Sequence, residues 1–258
     1  MAVARDTKVV LGIEVRNDPA REPCFTIVHL HHDVPDEGNE TLEARRMRAH
    51  REYNQEVQTL EVAALCLVDF PDAPWELRME LARQCWDEAR HAELMYHHLK
   101  ELGGWKGMYP IANLDWSVVA MLDSLPARLA VQHRTFEAGS LDIEVAAVPM
   151  LRDMGHDGHA EMTDAIEADE IQHVRFANEW LKRLTDAQPR AVLQVASAMA
   201  WLRRLVEVTS LDTLKVISTN DQTRQLAGFS SAEVAEVARL DTAGLGSSIP
   251  GARAPSDD

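Results

Sequence analysis

The pattern Asp-Glu-x-x-His occurs twice in this chain, as Asp87-Glu88-Ala89-Arg90-His91 and as Asp169-Glu170-Ile171-Gln172-His173. Glu and His three residues apart lie on one face of a helix, so both can reach a single point in space. In each segment that face is the apolar one. Leu81, Cys85, Ala92, Met95 and Leu99 flank the first motif at helical intervals, and Met162, Ile166, Ala177, Trp180 and Leu184 flank the second. The 3.6-residue period therefore asks for core side chains where the Glu and His stand. A buried, unpaired carboxylate is costly or takes up a proton. One such ExxH is ordinary and reads as a solvated face. Two with the same internal spacing call for a compensating positive charge, and metal ions supply it.

Each half-site needs a further carboxylate from the preceding helix. Glu137 is the candidate upstream of His173, with Leu129, His133 and Phe136 on its side. Upstream of His91, Glu61 is flanked by Val57, Leu65 and Val68. Glu56 competes, but it shares its side with Glu52 and Tyr53, a more polar surface, so Glu61 is the expected ligand. The chain thus reads as a near-repeat of Glu, turn, ExxH. Glu61, Glu88, His91, Glu137, Glu170 and His173 offer four carboxylates and two imidazoles, which balance two divalent ions. Oxygen-rich ligation of this kind suits iron or manganese better than zinc. Asp87 and Asp169 are placed to accept a hydrogen bond from the free ring N–H of a ligand histidine on the opposite helix. Arg90 either pairs with Asp87 or anchors a substrate carboxylate. His133, one turn before Glu137, reads as an extra ligand, a proton donor or a core histidine.

Helices are expected from about Thr41 to Phe70, from Asp72 as N-cap to Gly103-Gly104, from Ser124 through Ser140 and on to Met154, and from His159 to Leu184. A short helical piece at Trp116–Asp123 precedes the third. Gly103-Gly104 lacks the strand–turn–helix glycine pattern of a nucleotide site and reads as a helix C-cap. β-branched runs at 8–15 and 24–30, separated by Asn17-Asp18-Pro19, predict a small hairpin, followed by His29, His31 and His32, which read as a polar loop, with a metal-binding histidine cluster as the alternative. The expected division is an N-terminal arm over 1–40, a four-helix bundle over 41–186, a C-terminal helical extension over 187–243 and a disordered tail over 244–258.

Composition closes off several function classes. With a formal net charge of −16 the surface repels phosphate backbones, so no nucleic-acid partner is expected. The longest apolar run, Val62 to Val68, is far short of a membrane span, and the first residues lack the apolar stretch of a secretory signal. Cytoplasm is the expected compartment. The three cysteines, Cys24, Cys66 and Cys85, show no CxxC spacing, and the latter two read as small core residues.

At these residues the chain resembles the ferritin-like superfamily of dinuclear carboxylate proteins, whose bundle places Glu and ExxH motifs in this order. The first motif looks like the D-E-x-R-H signature of diiron oxygenases. The segments LEVAALCLVDFPDAP, HRTFEAGSLD, DEIQHV and AGFS look like a poorly characterised bacterial ferritin-like family, over about residues 41–240. The resemblance implies an all-α, ferritin-like four-helix bundle with extra C-terminal helices and two iron ions, or a manganese–iron pair. It further implies O2 as cosubstrate, a small organic substrate, an external electron donor and, by analogy, a homodimer. Where ribonucleotide reductase small subunits carry a radical tyrosine this chain has Met95, and Tyr96 turns away. Three functions stay open at this point: an oxidase or oxygenase, a ferroxidase, and a helical interaction module stapled by metal.

Overall fold

The computed structural model describes residues 6–29, 41–209 and 219–236. Most of these are helical. The N-terminal hairpin pairs β1 (Thr7–Val10) with β2 (Ile13–Arg16) in antiparallel register, Val10 opposite Ile13. Its two-residue loop, Leu11-Gly12, has positive φ at both positions, the backbone that matches the twist of adjoining strands. The hairpin is therefore complete within the first β-branched run. The second run forms only β3 (Ile27–Val28), which pairs in parallel with β4 (Ile111–Ala112). His31, His32 and the expected tail lie outside the described residues.

Helix α1 (Leu42–Asp69) starts where Thr41 caps it, its side chain accepting from the Ala44 N–H, and it ends at Phe70. Helix α2 (Trp75–Glu101) opens on Pro74 without a side-chain cap, so Asp72 does not play that part. It closes as a Schellman motif: Gly104 N–H donates to Leu99 O at 2.8 Å and Gly103 N–H to Lys100 O at 2.9 Å, with Gly103 at φ 78°. The loop to α3 (Leu114–Val119) carries β4 alongside β3 of the N-terminal segment. It passes so close to the N-terminal segment that a Cβ on Gly107 would lie 2.2 Å from Cys24 O.

Ser124 caps α4 (Leu125–Val131), with Pro126 in its first turn. The chain then winds through a π-helical segment, Gln132–Glu137, before resuming as α5 (Ala138–Asp153). Helices α6 (Asp157–Ala187) and α7 (Pro189–Thr209) follow, then α8 (Asp221–Leu226) and a last helical stretch over 231–236. Helix α1 packs along α2, and α6 packs against α2, α4, the π segment and α5. Among the described residues no helix is long and apolar enough to cross a membrane.

The terminal pieces share the core. Val10, Ile13 and Val15 of the hairpin join Val62, Val118, Val131 and, from α7, Leu202 and Leu205 in one apolar cluster. The C-terminal segment straps α6: Arg175 Nε donates to Leu226 O at 2.7 Å and Asn178 Nδ2 to Ala227 O at 2.8 Å. Arg224 closes the strap through a buried pair with Asp142 of α5, at 3.0 Å from Nε and 2.6 Å from Nη2. Removing one partner of such a pair strands the other charge in the interior. We expect Asp142→Ala to cost roughly 3–5 kcal/mol, read as a lower urea midpoint, with the strap over 219–236 becoming the first segment open to proteolysis.

Candidate metal centre

Four elements bring acidic and imidazole side chains to one buried place. Helix α2 supplies Glu88 and His91, α6 supplies Glu170 and His173, the π segment supplies Glu137, and α1 supplies Glu56. All but the half-buried Glu56 are withdrawn from solvent. They form two donor groups, Glu56–Glu88–His91–Glu170 and Glu137–Glu170–His173, whose donor atoms in each group lie within 4.8 Å of one another. Glu170 belongs to both.

The spacing inside these groups suits ions. His91 Nδ1 lies 3.2 Å from Glu88 Oε2, 3.4 Å from Glu170 Oε1 and 3.5 Å from Glu56 Oε2. His173 Nδ1 lies 3.4 Å from both Glu88 Oε1 and Glu170 Oε1. Two donors bound at roughly 2.1 Å to one ion, at right to tetrahedral angles, stand roughly 3.0–3.4 Å apart. Glu88 thus presents one oxygen to each imidazole. Glu137 Oε2, Glu170 Oε2 and His173 Nδ1 are buried without a hydrogen-bond partner, which leaves them as donors for a cation. The residues present fit a pair of divalent ions.

What surrounds the donors fixes their direction. His91 Nε2 faces Asp169 Oδ2 at 3.3 Å, and His173 Nε2 faces Asp87 Oδ2 at 3.4 Å, each across to the opposite helix. Holding the proton on Nε2 turns each Nδ1 lone pair inward. Arg90 Nη2 donates to Asp87 Oδ1 at 2.6 Å and to Asp169 Oδ2 at 2.7 Å. One guanidinium therefore bridges both orienting aspartates. The crossed Asp–His pairs follow the direction expected from the motifs, and Arg90 reaches one aspartate more than was expected of it.

Glu61 is not among the donors. Arg21 of the N-terminal segment grips it with Nη1 at 2.6 Å and Nη2 at 2.8 Å. Five residues of helix turn Glu61 well away from Glu56, and it is Glu56 that meets Glu88 and His91. The polar side that argued against Glu56 faces a cavity rather than bulk water, since Glu52 and Glu56 both line that cavity. The repeat itself carried a signal for the right residue: 88 − 56 = 32 and 170 − 137 = 33 residues, a closer match than 88 − 61 = 27.

His133 belongs to neither donor group. Burial, then the neighbouring His173, lowers its pKa to about 3, so it stays neutral. Its Nε2–H donates to Gln84 Oε1 at 2.9 Å, and Gln84 Nε2 in turn donates to Glu88 Oε1 at 3.1 Å and Glu137 Oε1 at 2.8 Å. Gln132 Nε2 reaches the same Glu137 oxygen at 3.3 Å. Sequence reasoning missed both glutamines. A glutamine one turn before Glu88, on the core face where an apolar residue is expected, was the available sign for Gln84.

Electrostatics favour cations here. Burial, then the charge of Glu170, pushes Glu137 up to about 8 and Glu88 well above the ordinary carboxylate range. Burial opposes charge on His173, but Glu170, Asp87 and Glu88 outweigh it and raise that ring's pKa. Protons collect where ions would sit. Beside the donors lies a cavity of about 340 Å³ that reaches Glu56, Glu137 and Glu170, with Met95, Phe136 and Ile166 among its apolar walls. Met95 faces it, while Tyr96 turns toward the Tyr53 ring at 5.6 Å.

Glu61→Ala is expected to leave Mn(II) affinity unchanged in calorimetric titration and to loosen the N-terminal segment instead. Glu56→Ala should abolish tight binding at one ion, and Asp169→Asn, which keeps the shape but weakens the hold on His91, should cost roughly 10–100-fold in affinity.

No curated protein and no solved structure matches the chain. The family described as a protein of unknown function (DUF455) matches residues 3–235, from the hairpin through all the donor residues to the C-terminal strap. Over that span, the chain belongs to the DUF455 family.

Proposed function

We propose that the chain is a non-haem diiron, or manganese–iron, oxidase or oxygenase acting on a small organic molecule. In this reading α1, α2, the α4–π–α5 segment and α6 form a ferritin-like four-helix bundle. Glu56, Glu88, His91, Glu137, Glu170 and His173 hold the ions. The observation that carries it is the meeting of two donor groups sharing Glu170 with a cavity of about 340 Å³ at their side. An iron-handling protein needs the donors but no apolar chamber.

Bound iron would supply O2 activation, for hydroxylation, desaturation or N-oxygenation. The protein's own part is positioning and exclusion of water. Asp87, Asp169 and Arg90 lock both imidazoles with Nδ1 inward. Gln84 and Gln132 hold one oxygen of Glu137 and leave the other, Oε2, unpaired, so Glu137 has one arm fixed and one available. Glu170, common to both donor groups, would tie the two ion positions together. Electrons come from a separate reductase or from the substrate.

The test is anaerobic Fe(II) loading, counting of iron per chain, and visible spectra on adding O2, with Glu170→Ala alongside. Two irons per chain, an oxygen-dependent band, and loss of both in the variant are expected. One iron or fewer on the unsubstituted chain rejects the dinuclear reading. Sustained Fe(II) oxidation that leaves ferric mineral favours a ferroxidase.

A further inference from the structure

Resting on that reading of the site, we propose that the cavity takes a lipophilic amine, whose cationic nitrogen is received by Glu144. One face of α5 lines the cavity, with Ser140, Ile143, Glu144, Ala147, Met150 and Met154 recurring at helical intervals. Glu144 is the acid set into this otherwise small or apolar stripe. Its Oε2 is shielded from solvent and has no hydrogen-bond partner. A carboxylate oxygen held so is costly unless a donor or cation joins it.

The protein's own groups do not meet that need. Burial first, then the charges of Glu170, Glu56 and Glu167, push Glu144 well above the ordinary carboxylate range, with only that of His91 favouring its ionisation, so the group is charged at neutral pH only with a cation beside it. The four ligand carboxylates already balance two divalent ions, so Glu144 is an acid in excess. It falls in neither donor group, and this separates it from the ion-holding set. Glu52, another acid lining the cavity, also has a buried Oε2 without a hydrogen-bond partner, but the positive charges of Arg51 and Arg48 act on it. A ligand that arrives with its own positive charge and N–H donors would supply the partner that Glu144 Oε2 lacks.

The rest of the wall fixes the remainder of the ligand. Ile143 and Met150 are 45% and 53% exposed, so the stripe opens to solvent along α5. An alkyl chain can lie over them and over Met154 while the nitrogen end reaches inward. Methionine side chains adapt to chains of differing shape. The ammonium and its neighbouring carbon then lie on the Glu56–Glu170 side of the cavity.

The probes are hexylamine, hexan-1-ol and hexanoate, titrated calorimetrically at pH 7 into the Mn(II)-loaded full chain and its Glu144→Gln variant. Manganese is counted on the same samples. Hexylamine should bind roughly 10–100-fold more tightly than the other two, and the substitution should remove that margin while two manganese ions stay bound. Equal or tighter binding of hexanoate or hexan-1-ol overturns the proposal, whatever the variant does. Loss of a manganese ion in Glu144→Gln also overturns it, because Glu144 would then be a ligand. Fewer than two ions on the unsubstituted chain is a different result, which removes the dinuclear reading itself.

Discussion

One guanidinium holds the centre of this protein in register. Arg90 joins Asp87 on its own helix to Asp169 on α6, and those two aspartates orient His173 and His91 on the opposite helices. The arrangement is crossed. Each helix presents a Glu and a His inward and directs the partner's imidazole with the residue just before its own Glu. Neither helix can rotate by a fraction of a turn without releasing an imidazole on the other. Arg90 also neutralises negative charge outside the donor shell, so the orienting carboxylates do not add their full repulsion to that of Glu88 and Glu170.

Around this contact the interior is unusually polar. Gln84, Glu88, His91 and His133 are each essentially inaccessible to solvent, where an ordinary helix pair would place aliphatic side chains. Such a core cannot cohere through apolar burial alone, and the apolar clusters lie to either side. Cys66, Leu77, Leu81 and Leu129 close one end. The hairpin, α3, α4 and α7 build another cluster. The terminal segments thus complete a core that the central helices, which carry acidic and imidazole side chains inward, cannot fill.

Much of this was legible in the sequence because it depends on local chemistry. Thr41 and Ser124 announced helix starts through their capping side chains, and Gly103-Gly104 announced an end. The doubled motif located Glu88, His91, Glu170 and His173 and the aspartates beside them. What failed required knowing which side of a helix faces a hollow. Polar neighbours made Glu56 look solvent-facing and apolar neighbours made Glu61 look internal, yet the first borders the cavity and the second meets Arg21 from forty residues away in sequence. The hairpin was misdrawn for a different reason: Leu11 adopts positive φ, which a β-branched run does not advertise. The π segment left no mark that periodicity could read, since it alters the period itself.

That segment has a consequence of its own. A π turn accommodates one more residue than the α turn it replaces, and one residue is worth about 100° of rotation about the axis. The two halves of the 125–153 rod are accordingly out of phase. Upstream, Leu125 and Leu129 point into the apolar cluster that closes one end; downstream, the face carrying Ser140 to Met154 borders the hollow. The rod behaves as a shaft with an offset coupling. A lineage that gained or lost a single codon there would swing the whole downstream wall around the axis, exchanging the surface that meets the hollow while the upstream packing stayed in place.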